Sequence, residues 1–496
     1  MVNIRTSDAG RGLLGVIAAA ALAFGVAAVG MSVATAGGRP GPARANLTEQ
    51  LSITAKLGAS RPLPRGFYGI NYDYGGASVY VQDGTAKVDS QLAAVKPGTL
   101  RWPGGTGANY FQWRDGYPVP ETAVPKGKKC PPSECEIDGF RFTLAVLAAA
   151  YRSTRATPIF DLNIMTSTLA QQIDMLKAAR AADKLPVKYV ELGNEFYLPM
   201  ADYIKAFPTA AAYGKAVAAD VKALHKAFPG VLVAAVGSSG TASARAVGWN
   251  AGMLKVATGA GKPDAVTLHD HPTFDASLTT GRLPALFTEA YTSAANISRA
   301  SKELRGAPAW ITEYGLSLRS TAANPAQLTY ANALFEGAAA VLLAQQVSDA
   351  KLVNFWAAYS PNDPSAYTTS GLTPDGLAMS WLDDAAYGAR TATRITFPGG
   401  PVLATSGDPA LVGESFSGGT RGALLVNFSG SPVTVAAGNA IPTGARYCQA
   451  TGNPVSQIPV AGKLTFAHGT TGRALTLPRY SITVVGGVSP CRVPAP

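Results

Sequence analysis

Cysteine and histidine are scarce in this chain, four of each in 496 residues, and charged side chains amount to only 15%. So few cysteines exclude a disulfide-dense miniature scaffold. Cys130 and Cys135 have no histidine or second cysteine pair near them in sequence, which excludes the usual zinc-finger spacing. Low charge combined with 47% apolar residues excludes a disordered chain. Beyond residue 36 no apolar run is long enough to cross a bilayer as a helix. No G-x-G-x-x-G turn follows the first predicted strand, and Gly237-Ser238-Ser239-Gly240 lacks the lysine of a Walker loop, so nothing supports a nucleotide site. Internal repeats and low-complexity tracts are absent as well.

The N-terminus carries a clear signal. Arg5 and Arg11 precede an apolar run over 13–33 that ends in Ala34-Thr35-Ala36-Gly37, the small-residue pattern a signal peptidase cuts. Residues 1–36 are therefore expected to be a signal peptide, with the rest secreted or otherwise outside the cytoplasm. Left uncleaved, the same run would anchor the protein in a membrane. In an exported chain an even set of cysteines predicts disulfides. Cys130 and Cys135 lie close together, whereas Cys448 and Cys491 flank the final strands, so the expected pairs are 130–135 and 448–491. The formal charge of +11 attracts polyanions in general. Lysine and arginine are scattered rather than clustered with aromatics, which argues against nucleic acid and leaves an acidic polysaccharide as a candidate.

Alternation at Leu51, Ile53, Ala55 and Leu57 predicts a strand over 47–57, ahead of the main domain. Short apolar runs then alternate with longer stretches of helical period. The predicted strands are 67–72, 99–102, 158–164, 187–192, 231–236, 265–268, 309–312 and 352–356, with helices over 88–95, 140–151, 169–182, 201–228, 283–304 and 326–346. Eight strands in β-α order close most naturally into an α/β fold, a (β/α)₈ TIM barrel over 60–388 with its chemistry at the C-terminal strand ends. A doubly wound open sheet is the alternative. Past Gly388 the helical period stops. Strands predicted at 401–405, 423–428, 433–436, 464–466 and 481–485 form an antiparallel β-sandwich over 389–496, completed by the strand at 47–57.

Two acids fall at barrel strand ends: Glu195 after the fourth strand and Glu313 after the seventh. Cleaving a glycosidic bond with retention needs one carboxylic acid to protonate the leaving oxygen and a second carboxylate to attack the anomeric carbon. Taken singly, either glutamate is equally a surface or ion-paired carboxylate. His269 and His271, two residues apart, suit a metal or a proton shuttle, but no third metal ligand is indicated in sequence. No metal and no cofactor are expected. Trp356 and Tyr359, at the eighth strand, are candidate sugar platforms or core aromatics.

The local sequences sharpen this. Glu191-Leu192-Gly193-Asn194-Glu195 resembles the Asn-Glu signature that closes the fourth strand in clan A glycoside hydrolases, and Trp310-Ile311-Thr312-Glu313-Tyr314 resembles their seventh-strand nucleophile motif. Arg101-Trp102-Pro103-Gly104-Gly105, followed by Trp113-Arg114-Asp115-Gly116, is similar to a stretch of the α-L-arabinofuranosidase family, as is Asp264-Ala265-Val266-Thr267-Leu268-His269. The heparanase and β-glucuronidase family shares the same plan of leading strand, barrel and small sandwich. The Trp-Ile-Thr-Glu run favours this second family; Gly315-Leu316-Ser317-Leu318, where that family has a glycine-rich segment, counts against uronate specificity.

The resemblance implies a retaining glycosidase with Glu195 as acid/base and Glu313 as nucleophile, about 5 Å apart. It also implies that Asn194 donates to the sugar 2-hydroxyl and that Arg101 keeps Glu313 ionised, unless Arg101 is only a structural ion pair. Asp73 would bind sugar hydroxyls or form a turn. His269 would bond the sugar or a catalytic glutamate, or else be a buried structural residue. Glu195 is expected to be protonated at rest, its pKa raised by Glu313. A non-catalytic carbohydrate-binding barrel is the rival from another class.

Overall fold

The computed structural model describes residues 51–74, 85–118, 141–240, 243–317, 323–359 and 364–487. The expected signal peptide, Cys130, Cys135 and Cys491 lie outside these residues. The described residues form one compact unit.

Eight parallel strands close into a barrel in sequence order: Tyr68–Asn71, Thr99–Trp102, Thr157–Asp161, Tyr189–Glu191, Leu232–Val236, Ala265–Asp270, Ala309–Tyr314 and Ala350–Phe355. The eighth strand closes on the first through Val353 opposite Tyr68. Strand side chains alternate between the interior and the helical shell, and this period of two builds the site in layers. Ile159, Tyr189, Ala234, Ala265, Trp310 and Leu352 form a separate apolar cluster with one residue from each of strands three to eight. Trp310 and Tyr189 meet edge to face there, ring centroids 5.3 Å apart. Two residues further along strands two, three and four from Thr99, Ile159 and Tyr189 come Arg101, Asp161 and Glu191, all buried. The barrel interior therefore passes from an apolar floor to a charged layer as the strands approach the mouth.

Helices pack around this barrel, with boundaries set by capping and breaking residues. Thr168 and Gln171 make a reciprocal capping box at the start of Leu169–Ala181. The single helix predicted over 201–228 is two, Ala201–Ala206 and Ala210–Ala227, because Pro208 interrupts the pattern. The helix Tyr330–Gln346 is buried along nearly its whole length. A Cβ built on Gly337 in this helix would lie within 3.9 Å of Val426 and Ile482, so one face rests on the C-terminal sheet while the rest meets the barrel. Among the described residues no helix is long and apolar enough to cross a membrane.

The C-terminal region is an antiparallel sheet of seven strands against a sheet of three. The larger runs Lys56–Pro62, Thr391–Thr396, Leu411–Ser417, Gly422–Asn427, Ser481–Gly486, Arg446–Thr451 and Thr465–Thr470. The smaller joins Leu51–Thr54, Val433–Ala436 and Ala474–Leu477. Ile53, Leu411, Leu425, Val435, Leu475 and Val485 fill the space between them. The leading segment read as one strand is thus two, which change sheets at Ala55. The predicted strand over 401–405 is instead a turn, closed by Leu403 N–H donating to Asp408 O and Gly407 N–H donating to Leu403 O. Cys448 is buried on its strand.

Candidate active site

Arg101 organises the barrel mouth. Its guanidinium is wholly buried and carries five N–H groups, with five side-chain oxygens around it. Nε donates to Glu191 Oε2 at 2.6 Å, Nη1 to Asn71 Oδ1 at 3.1 Å and Glu313 Oε1 at 2.5 Å, and Nη2 to Asn194 Oδ1 at 2.8 Å. Nη2 also stands 2.8 Å from Asp161 Oδ2. Burial works against the Arg101 charge, but Glu191, Asp161 and Glu313 outweigh it and hold the cation in place. Burial, reinforced by the charges of Glu191 and Glu313, pushes Asp161 well above the usual carboxylate range despite Arg101.

Glu313 reaches this layer through a bulge. Opposite the sixth strand, Leu268 pairs with Ile311 but His269 pairs with Glu313, so Thr312 is the extra residue. Such bulges re-aim side chains next to functional sites. Both Thr312 and Glu313 accordingly make interior contacts. Burial would raise the pKa of Glu313, but His269, Arg101 and His271 together bring it down to about 2, so this carboxylate is ionised.

Glu195 lies beyond the fourth strand in a left-handed conformation, φ +50°, following Gly193 at φ +84°. A Cβ on Gly193 would stand 2.3 Å from the Phe196 ring, so only glycine fits this turn. One carboxylate oxygen of Glu195 and one of Glu313 lie within 4.8 Å of each other. Glu195 Oε1 accepts from Tyr197 OH at 2.7 Å and faces His269 Nδ1 at 3.2 Å. Thr312 donates its hydroxyl proton to Glu191 Oε1 and so accepts from His269 Nε2, at 2.9 Å. One proton therefore lies on the line between His269 Nδ1 and Glu195 Oε1. The expectation of a raised Glu195 pKa is corrected: burial and Glu313 do raise it, but the His269 hydrogen bond and charge outweigh them and draw it below its ordinary value. The hydrogen bond with His269 thus favours the carboxylate form of Glu195.

The remaining sequence candidates divide. His269 stands between the two glutamates, Nδ1 3.2 Å from Glu195 Oε1 and 3.7 Å from Glu313 Oε2, while Asn194 is linked to Glu313 through Arg101. Trp356 is partly exposed at the mouth, its ring 6.4 Å from that of His271, and lies where a Cβ on Gly105 would collide with it at 2.5 Å. Asp73 is buried beside Gly104 at the end of the first strand. Tyr359, only 9% exposed, sits in the main core and offers little ring surface to a ligand. Sequence reading passed over Asp161 and Glu191, although an acid at the end of an otherwise apolar strand was a visible signal. It also missed Asn109, which grips Asn194 from the loop after the second strand. His271 was weighed only as a metal ligand or shuttle, yet its Nε2 stands 3.1 Å from Glu313 Oε2.

Glu195, His269 and Glu313 are also the one group among the described residues whose ligand atoms come close enough to hold an ion. Arg101 and His271 already occupy the two oxygens of Glu313, and an added cation would stand against both. The donor set suits a protonated network better than a metal.

Matching against family models and against curated proteins returned no relative. Solved structures do resemble the chain. An α-L-arabinofuranosidase from Thermotoga maritima aligns with a TM-score of 0.64 at 17% identity, covering 88% of this chain and 98% of that one. A family 51 α-L-arabinofuranosidase from Bifidobacterium longum gives 0.67 at 19% identity, covering 88% and 99%. A 4-O-α-L-rhamnosyl-β-D-glucuronidase from Fusarium oxysporum gives 0.60 at 14%, covering 88% and 100%. Over almost the full length of each of these enzymes, the chain shares their fold.

Proposed function

We propose that this protein is a retaining glycoside hydrolase of the clan A type, with Glu313 as nucleophile and Glu195 as general acid and base. The observation that carries this reading is that one oxygen of each carboxylate lies within 4.8 Å of the other, past the fourth and seventh strand ends. Retaining enzymes work at about 5–5.5 Å, whereas inverting enzymes leave room for water at about 6.5–9.5 Å.

Ionised Glu313, aimed by Arg101, attacks the anomeric carbon as the bond to the leaving oxygen breaks. The leaving oxygen takes the proton held by the Glu195–His269 pair. Water, deprotonated by Glu195, then attacks the same carbon and returns the electron pair to Glu313. Asn194 accepts from Arg101 through Oδ1, which turns its Nδ2 toward the sugar as a donor to the 2-hydroxyl. Trp356 supplies a ring face for the sugar.

For the sugar, two solved enzymes of similar fold point to an α-L-arabinofuranoside and one to a β-glucuronide. The substitution of the glycine-rich segment by Gly315-Leu316-Ser317-Leu318 leans the same way, so arabinofuranosidase activity is the first reading and the glucuronidase or heparanase-like activity the second. The substrate is a polysaccharide or glycoconjugate outside the cell, reached after cleavage of residues 1–36, and the charge of +11 suits an acidic one. Aryl α-L-arabinofuranoside, β-glucuronide, β-galactofuranoside and β-glucoside, assayed side by side, test the assignment. Turnover of the arabinofuranoside supports it. Sugar binding without turnover of any of them would favour the non-catalytic barrel.

A further inference from the structure

Building on the glycosidase reading, we propose that His271 is a positioning residue that works as a standing imidazolium. It clamps the second oxygen of Glu313 as Arg101 clamps the first, and its deprotonation sets the alkaline limit of activity.

Hydrogen-bond polarity sets the protonation state of the ring. His271 Nδ1 faces the carbonyl oxygen of Gly315 at 3.1 Å, and Nε2 faces Glu313 Oε2 at 3.1 Å. Neither partner has a hydrogen to give, since one is a backbone carbonyl and the other an ionised carboxylate. A neutral imidazole has one N–H and one lone pair, so either tautomer would set a lone pair against an oxygen. Only the doubly protonated ring satisfies both contacts.

The surroundings agree. Glu313 from the seventh strand, Glu195 from the fourth and Asp270 from its own strand all face His271. Trp356 approaches from the eighth strand with an uncharged ring. His269, on its own strand, has its Nδ1 3.7 Å from Glu313 Oε2. Burial disfavours the charge, but the hydrogen bond and charge of Glu313, with Glu195 and Asp270, outweigh it and raise His271 to about 9.

The clamp acts differently on the two chemical steps. During glycosylation Glu313 gives up its charge to a new bond with the anomeric carbon, so an imidazolium on the free carboxylate opposes the step. During hydrolysis of the glycosyl-enzyme that bond breaks and the charge returns to Glu313, where the imidazolium stabilises it. Losing the clamp therefore slows the second step.

His271→Gln, which keeps a neutral donor, is expected to lower kcat by roughly 10–10³-fold, with KM falling in parallel as glycosyl-enzyme accumulates. It should also abolish the wild-type alkaline limb near pH 9. An unchanged alkaline limb in His271→Gln would overturn the role. Imidazole ¹⁵N NMR supplies a readout independent of turnover, with only four histidines to resolve and the missing signal in His271→Gln as assignment. Both His271 nitrogens should be protonated at pH 7, and Glu313→Gln should lower the titration point. A neutral His271 at pH 7 overturns the proposal even in an active enzyme. A titration near pH 9 in a protein inert toward every glycoside counts against the glycosidase reading and leaves the imidazolium standing.

Discussion

Asn109 holds Asn194 by both faces of one side-chain amide: its Oδ1 accepts the Asn194 N–H at 2.9 Å, and its Nδ2 donates to Asn194 O at 2.7 Å. The next residue is Glu195 in its left-handed conformation, which a non-glycine residue adopts only under constraint. Asn109→Ala removes both bonds and leaves buried Asn194 groups unpaired. A loss of about 2–4 kcal/mol in urea unfolding is expected, together with a fall in kcat of more than about tenfold from misplacement of the acid. Unchanged activity would mean that Glu195 is held by something else.

Arg101 is the residue most sensitive to conservative change. Lysine carries the charge but cannot present five donors in a plane. Arg101→Lys is expected to fold and lose about 10²-fold or more in kcat/KM, because the carboxylate of Glu313 loses its aim. Arg101→Met leaves three buried carboxylates around an apolar side chain and should cost on the order of 3–5 kcal/mol. Thermal unfolding and aryl glycoside kinetics separate the two effects.

Glu195→Gln removes proton donation while keeping shape. Substrates with poor leaving groups should lose most of their rate, and an activated aryl leaving group much less at the first step. A plot of log rate against leaving-group pKa checks this. Equal loss across the series would contradict Glu195 as the acid.

Much of the barrel could be read from sequence because its strands are short apolar runs separated by helical stretches, and the eight predicted runs overlap the eight strands that close it. The sandwich was less legible. Thr391–Thr396 and Arg446–Thr451 are strands rich in threonine, arginine and glutamine, which alternate too weakly to stand out before their partners are known. Glu195 and Glu313 were visible through their neighbours. The proton arrangement was not, since the Thr312 bulge that brings Glu313 opposite His269 depends on a register between distant strands. His271 was hidden for the same reason: its partners, Glu313 and the Gly315 carbonyl, lie more than forty residues away.

Glu414, on the sandwich, accepts from Tyr68 OH of the first barrel strand at 2.7 Å. Burial raises its pKa to about 7, against the lesser pull of Arg61 and Tyr68. A raised carboxylate contributes stability that is complete below its unfolded value near 4.3 and is lost as pH rises through about 7. Glu414→Gln keeps an acceptor for Tyr68 without the ionisation. It should match the wild type at pH 4.5 and exceed it at pH 8 by on the order of 1–3 kcal/mol. Identical pH dependence of Tm in both proteins would contradict this coupling between sandwich and barrel.

The central assignment is that Glu313 becomes covalently bonded to the sugar. Incubation with an activated 2-deoxy-2-fluoro glycoside of the preferred sugar, followed by intact mass and peptide mapping, reads this directly, because the fluorine slows hydrolysis of the intermediate and lets it accumulate. One glycosyl unit per chain, on the peptide containing Glu313 and absent in Glu313→Gln, is the expected result. A label on Glu195 or Glu191, or turnover of the parent substrate with inversion and no adduct, would contradict it.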